Sequence, residues 1–195
     1  MVDYFAPTEV SIFTTGLILI SNNKFSNFVI QYKTMEKKTF RLAYTEYSSI
    51  DELNTEEKDL LQKAHKAVES SYAPYSKFHV GAAVKLEDGT IVLGSNQENA
   101  AYPSGLCAER VALFAASAQH PNLAVTAIAI TVHSEKAVID EPLPPCGACR
   151  QVMSEYEYKG GHDMKVILQG ETGNIQIIDR ADTLLPLTFN PEHLK

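Results

Sequence analysis

All three cysteines of this chain fall in two short motifs, Cys107-Ala108-Glu109 and Pro145-Cys146-Gly147-Ala148-Cys149. Any fold the chain adopts has to account for both. Three thiolates fill three positions of a tetrahedral zinc ion and leave the fourth for a reacting water, whereas a structural zinc takes four protein ligands. None of the six histidines, His65, His79, His120, His133, His162 and His193, stands at a metal-ligand spacing from a cysteine. A redox dithiol could use Cys146 and Cys149, but it would leave Cys107 and Glu109 without a task. The pattern points to a catalytic zinc centre with Cys107, Cys146 and Cys149 as ligands. Structural zinc and redox chemistry are the alternatives.

Glu109 carries the second half of the inference. Residues two apart on a helix point to different flanks, so Glu109 does not readily share a metal with Cys107. Beside the metal, its carboxylate can take a proton from a bound water and deliver it elsewhere. A glutamate in the first turn of a helix is also favoured by the helix dipole alone. Next to three candidate zinc thiolates the acid–base role is the stronger reading.

Composition sets bounds. With 195 residues, 45% of them hydrophobic, the chain can bury one core, and one domain is the default. Acidic side chains outnumber basic ones 24 to 17, and no Lys/Arg run is available to track a phosphate backbone, which disfavours a nucleic-acid polymer as partner. Thiols committed to one metal leave no disulfide pairs and suit a reducing, cytoplasmic setting.

Residues 1–34 read as an N-terminal extension of unknown role, and 35–195 as a single zinc-dependent domain. The uncharged stretch from Val10 to Ile20 is too short to span a bilayer, and Asp3 and Glu9 precede it where a secretory signal would be basic. Met35 opens a more polar segment, and one hypothesis is that translation naturally starts there.

Beyond the extension, helical and strand patterns alternate. Asn54 and Glu57 have the spacing of a helix start, with Leu60, Ala64, Ala67 and Val68 along one face. Phe78 to Leu86 and Thr90 to Ser95 read as a hairpin turned by Asp88-Gly89. Ala124 to Val132 is a continuous apolar run of the kind buried on both sheet faces. Val166 to Gln169 and Ile175 to Ile178 form a closing hairpin around Thr172-Gly173-Asn174.

Two helices are expected to begin at the cysteine motifs, one with Cys107, Val111, Phe114, Ala115 and Ala118 on one face, the other with Cys146 and Cys149 just after Pro144-Pro145. Helix N-termini favour negative charge and so favour thiolates. Three thiolates still exceed the charge of one zinc ion. Arg110 and Arg150 follow the motifs directly, and either guanidinium could donate to a thiolate; Arg110 is the preferred candidate.

These residues resemble a known family. Cys107-Ala108-Glu109-Arg110 and Pro145-Cys146-Gly147-Ala148-Cys149-Arg150-Gln151 are similar to the zinc motifs of the homotetrameric cytidine deaminases, and the resemblance runs from the first expected helix to the end. Tyr72 to Ala83 resembles that family's opening strand region, Asn96 to Leu106 its substrate loop, and Leu184 to Phe189 its C-terminal segment. The N-terminal extension is the departure.

The resemblance implies a three-layer α/β/α fold with a mixed sheet of about five strands. It also implies hydrolytic deamination of cytidine and deoxycytidine to uridine and deoxyuridine in pyrimidine salvage. Water would add at C4 of the cytosine ring while Glu109 protonates N3 and hands a proton to the leaving ammonia. Asn96 and Glu98 would bind the ribose hydroxyls, Phe78 would wall the base pocket, and Ala108 would belong to the substrate site. Tyr102 and Phe189 would reach the site of a neighbouring subunit in a homotetramer. Alternatives are deamination of another cytosine nucleoside such as blasticidin S, and a non-catalytic zinc-stabilised interaction protein. Deoxycytidylate deaminases resemble the motifs with histidine at the first ligand position, which Cys107 does not match.

Overall fold

The computed structural model describes residues 36–195, and Thr39–Lys195 form one compact unit. The extension at 1–34 lies outside the described residues. A six-stranded mixed sheet carries the fold, in the order β1-β6-β5-β4-β2-β3. The strands are β1 (Thr45–Tyr47), β2 (Phe78–Leu86), β3 (Ile91–Ser95), β4 (Val125–Ser134), β5 (Lys165–Gln169) and β6 (Ile175–Ile178). Only β4 and β5 are parallel, and the helix between them makes the crossover that parallel pairing requires. Among the described residues, no helix is long and apolar enough to cross a membrane.

Side-chain alternation along the strands separates two cores. On one face α1 (Thr55–Ala67) packs Leu60, Leu61 and Ala64 against Ala83, Ala127, Ala129 and Ile167. On the other, α2 (Ala108–Gln119) and α3 (Gly147–Gly160) cover Ala82, Val84, Ile128, Ile130, Val166 and Leu168. Neighbours on β4 thus face opposite layers, which is why this strand carries no polar alternation. The architecture is α/β/α, as expected.

Local chemistry explains most boundaries. The Asn54 side chain caps α1 by accepting from the Glu57 N–H at 2.9 Å. Gly89, at φ +88°, turns the β2–β3 hairpin, and Gly173, at φ +83°, turns β5 into β6. The expected mixed sheet of about five strands is present with six, the sixth being Thr45–Tyr47, an edge strand on β6 fastened where Glu46 accepts from the amides of Asn174 and Gln176. One expectation needs amending. On α2 the buried face is Ala108, Glu109, Ala112, Leu113 and Ala116, while Phe114 is 41% exposed and tilts against Tyr156. Alanine on both sides of this helix left its apolar stripe ambiguous in sequence.

One buried acid ties the zinc-motif layer together. Glu157, near the end of α3, accepts from the backbone N–H groups of Met164, Ala181 and Asp182 at 2.7–3.0 Å. Burial pushes its carboxyl up while those three donors favour the ionised form. Glu157→Ala should strand these donors and cost at least about 2 kcal/mol of stability in urea unfolding; a loss below about 0.5 kcal/mol would show that water replaces the carboxylate freely.

Candidate active site

Each cysteine motif sits where a helix starts. Cys107 is the N-cap of α2 and Cys146 the N-cap of α3, both in extended conformation and neither capping with its side chain. Their thiols are therefore free to face each other. Cys107 Sγ lies 3.8 Å from Cys146 Sγ, Cys146 Sγ lies 3.4 Å from Cys149 Sγ, and all three sulfurs fall within 4.8 Å of one another. Tetrahedral zinc with bonds of about 2.3 Å needs sulfurs about 3.8 Å apart. The donor set and its spacing fit zinc.

Charge at the site is arranged for thiolates. Hydrogen bonds from the Cys149 thiol, Arg110 and the Cys146 thiol hold the Cys107 thiol well below the ordinary thiol range, while the Cys107 contact and burial push Cys149 up. Arg110 Nη2 donates to Cys107 Sγ at 3.6 Å. Arg150 points elsewhere: its Nε donates to the Pro145 carbonyl at 2.8 Å and its Nη1 to the Leu184 carbonyl at 3.0 Å, fastening α3 to the C-terminal segment. Of the two arginines, only Arg110 reaches a thiolate.

Glu109 occupies the first turn of α2 and is 4% exposed. Burial, and secondarily the charge of Cys107, push its carboxyl up. It shares an open cavity of about 590 Å³ with Phe78, Asn96, Glu98, Tyr102, Arg110, Cys107 and Cys146. That is the size of a small-molecule site.

The backbone holds the cavity's polar groups in place. Asn96 accepts from the Val80 N–H and donates to the Phe78 carbonyl, both at 2.8 Å, which locks its amide against β2 and leaves one amide hydrogen free. Glu98 accepts from the N–H groups of Tyr75 and Ser76 at 2.9 and 3.2 Å through one oxygen, leaving the other for a ligand. The Ser76 hydroxyl and these amides hold its carboxyl below the ordinary value.

Among the remaining residues singled out from sequence, Ala108, the first residue of α2, is fully buried and is not among the residues lining the cavity. Tyr102 is 77% exposed at the cavity mouth. Phe189 lies away from it, stacked on His193 with its carbonyl accepting from Gln151. No histidine lines the cavity. Sequence reasoning missed Tyr75, edge-on to Tyr102 at 6.2 Å, and Leu143 and Pro144, which complete the wall beside Cys146. The last two have no periodic signal; only their nearness to the second cysteine motif could have marked them.

Cys146 is the exposed member of the triad and contributes nothing to the buried core. Cys146→Ala should therefore reduce bound zinc from about one per chain to below about 0.1 and melt like metal-stripped wild type, as measured by elemental analysis and calorimetry. Full metal content in that variant would contradict its assignment as a ligand.

Comparison with known proteins places this geometry. The family model described as the cytidine and deoxycytidylate deaminase zinc-binding region matches residues 54–160. A cytidine deaminase of Halalkalibacterium halodurans is 43% identical over 135 residues, covering 69% of this chain and 95% of that protein. One of Sporosarcina psychrophila is 42% identical, covering 69% and 92%. Among solved structures, cytidine deaminase from Burkholderia pseudomallei superposes with a TM-score of 0.59 at 41% identity, covering 67% of this chain and 97% of that one. The match takes in both cysteine motifs and every layer that holds them together, and by it the chain belongs to the zinc-binding cytidine and deoxycytidylate deaminase family.

Proposed function

We propose that the protein hydrolytically deaminates cytidine and deoxycytidine, releasing uridine or deoxyuridine and ammonia. The observation that carries this reading is a buried carboxyl, Glu109, set beside three converging thiols, with Glu109, Cys107 and Cys146 lining one cavity of small-molecule size. The relatives from H. halodurans and S. psychrophila are named cytidine deaminases. Cys107, Cys146 and Cys149 would hold the zinc ion, which when bound supplies the Lewis acidity that makes water nucleophilic at neutral pH.

Glu109 manages the protons. Its raised affinity for a proton lets it accept one from the attacking water and pass it to N3 of the cytosine ring; it then takes the second proton from the hydroxyl now on C4 and gives it to the amino group, which leaves as ammonia as the C4–N bond breaks. Arg110 offsets the third thiolate's charge. Asn96 and the free oxygen of Glu98 orient the sugar hydroxyls, and Phe78 packs on the base. The exposed aromatic rings of Tyr102 and Phe189 support assembly into a homotetramer in which they complete neighbouring sites, and the free thiols support a reducing, cytoplasmic setting.

Incubation of the zinc-loaded protein with cytidine, deoxycytidine, their monophosphates and blasticidin S, followed by ultraviolet absorbance, tests this reading. Turnover of the two unphosphorylated nucleosides is expected; zinc without turnover of either would contradict it. Glu109→Gln should keep zinc and fold but lose at least about 100-fold in kcat, and near wild-type turnover would refute the acid–base role. Because the Glu98 carboxyl is depressed, its ionised form is lost only as pH falls through that lowered value. KM for cytidine should accordingly stay flat from about pH 8 down to about pH 5; a several-fold rise over that range would place the sugar contact on another group.

A further inference from the structure

We infer that Gly94 on β3 is a positioning residue that sets how deeply the first turn of α2 seats on the sheet, and so where Cys107 and Glu109 stand in the cavity. This rests on the metal-site reading above and extends it to a residue that neither lines the cavity nor touches a thiol.

Backbone approaches backbone closely at this point. A Cβ built on Gly94 would lie 2.4 Å from the Ala112 nitrogen, 2.6 Å from the Ala108 oxygen and 2.8 Å from the Ala112 Cα. Ala108 O and Ala112 N are one residue pair of the helix's own i to i−4 ladder, so the missing methyl group would sit on the first turn itself. No flexible side chain is available to yield. Ala108, Ala112 and Ala116, spaced four apart and all fully buried, present the small surface that permits this contact. Gly94 does not have a positive φ, so room rather than conformation requires glycine here.

The consequence for the site follows from sequence spacing. Cys107 is the N-cap and Glu109 the second residue of that same turn. Lifting it to ordinary van der Waals separation, 3.4 Å, would displace both by about 1 Å. A shift of this size in a reacting group can cost about 100-fold in rate, and three sulfurs held for one tetrahedral ion tolerate less.

The fold supplies its own control. Gly81 on β2 pairs with Ser95, next to the Ala82–Gly94 pair, and packs against the other layer. Its added Cβ would meet Ala64 O at 2.2 Å and Val68 N at 2.7 Å. Gly81→Ala therefore strains α1, which carries no cavity residue, while Gly94→Ala strains α2.

The test compares Gly94→Ala and Gly81→Ala with wild type, each purified as full chain and loaded with cobalt(II) as a spectroscopic substitute for zinc. Thiolate-to-cobalt absorption, metal affinity by competition, thermal melting, and kcat and KM for cytidine are the readouts. Gly94→Ala should melt cooperatively, show altered cobalt bands, bind metal at least about 10-fold more weakly, and lose about 100-fold in kcat with KM within about threefold. Gly81→Ala should melt lower yet keep the wild-type cobalt spectrum and kcat within about threefold. Ala112→Ser, which adds one atom to the fully buried residue whose backbone makes this contact, should repeat the Gly94→Ala signature in milder form.

A wild-type spectrum and kcat in Gly94→Ala, or equal spectral change in Gly81→Ala, would overturn the inference. Failure of both Gly94→Ala and Ala112→Ser to fold while Gly81→Ala folds would also overturn it, since Gly94 would then serve global stability. Wild-type protein lacking thiolate-to-cobalt bands would sink the metal reading itself, and this inference with it.

Discussion

Holding three cysteine sulfurs within 4.8 Å of one another is the constraint on which the rest of this structure depends. As thiolates they repel, and together they carry more charge than a zinc ion removes. The fold answers with two helix starts aimed at one point, each contributing the positive end of a dipole, and with the Arg110 guanidinium on Cys107. Arg110 and the neighbouring thiols accordingly pull the Cys107 thiol toward its anion, the form that binds a cation.

Placing two helix starts together falls to the layer packing. α2 returns from the β2–β3 hairpin and α3 spans the parallel β4–β5 crossover, so both lie on the same face of the sheet. Glu157 fixes the far end of α3 to the backbone just before β5 and just after β6. Arg150, which the sequence offered as a thiolate partner, instead anchors the near end of α3 to Leu184. Two charged residues of one helix thus set the attitude of the second cysteine motif without touching a sulfur.

The chemistry was legible in sequence because it depends on residue types that have few other uses in such a pattern. Three cysteines and an adjacent glutamate allow few readings, and the Asn54 cap and the Asp88-Gly89 turn gave their elements by local rules. What escaped were features decided by tertiary contact. Thr45–Tyr47 becomes a strand only because β6 offers an edge, and nothing in three polar or aromatic residues announces that. The buried face of α2 could not be told from its neighbour while alanines lined both. Leu143 and Pro144 join the cavity wall through the path of a loop, which has no period to read.

X-ray absorption at the zinc edge on the purified, metal-loaded protein tests the central claim most directly, because it counts what surrounds the ion. The account predicts three sulfur neighbours near 2.3 Å and one oxygen near 2.0 Å, the open position of a catalytic centre. Four protein ligands, whether a fourth sulfur or the outer-shell signature of an imidazole, would contradict it and make the site structural.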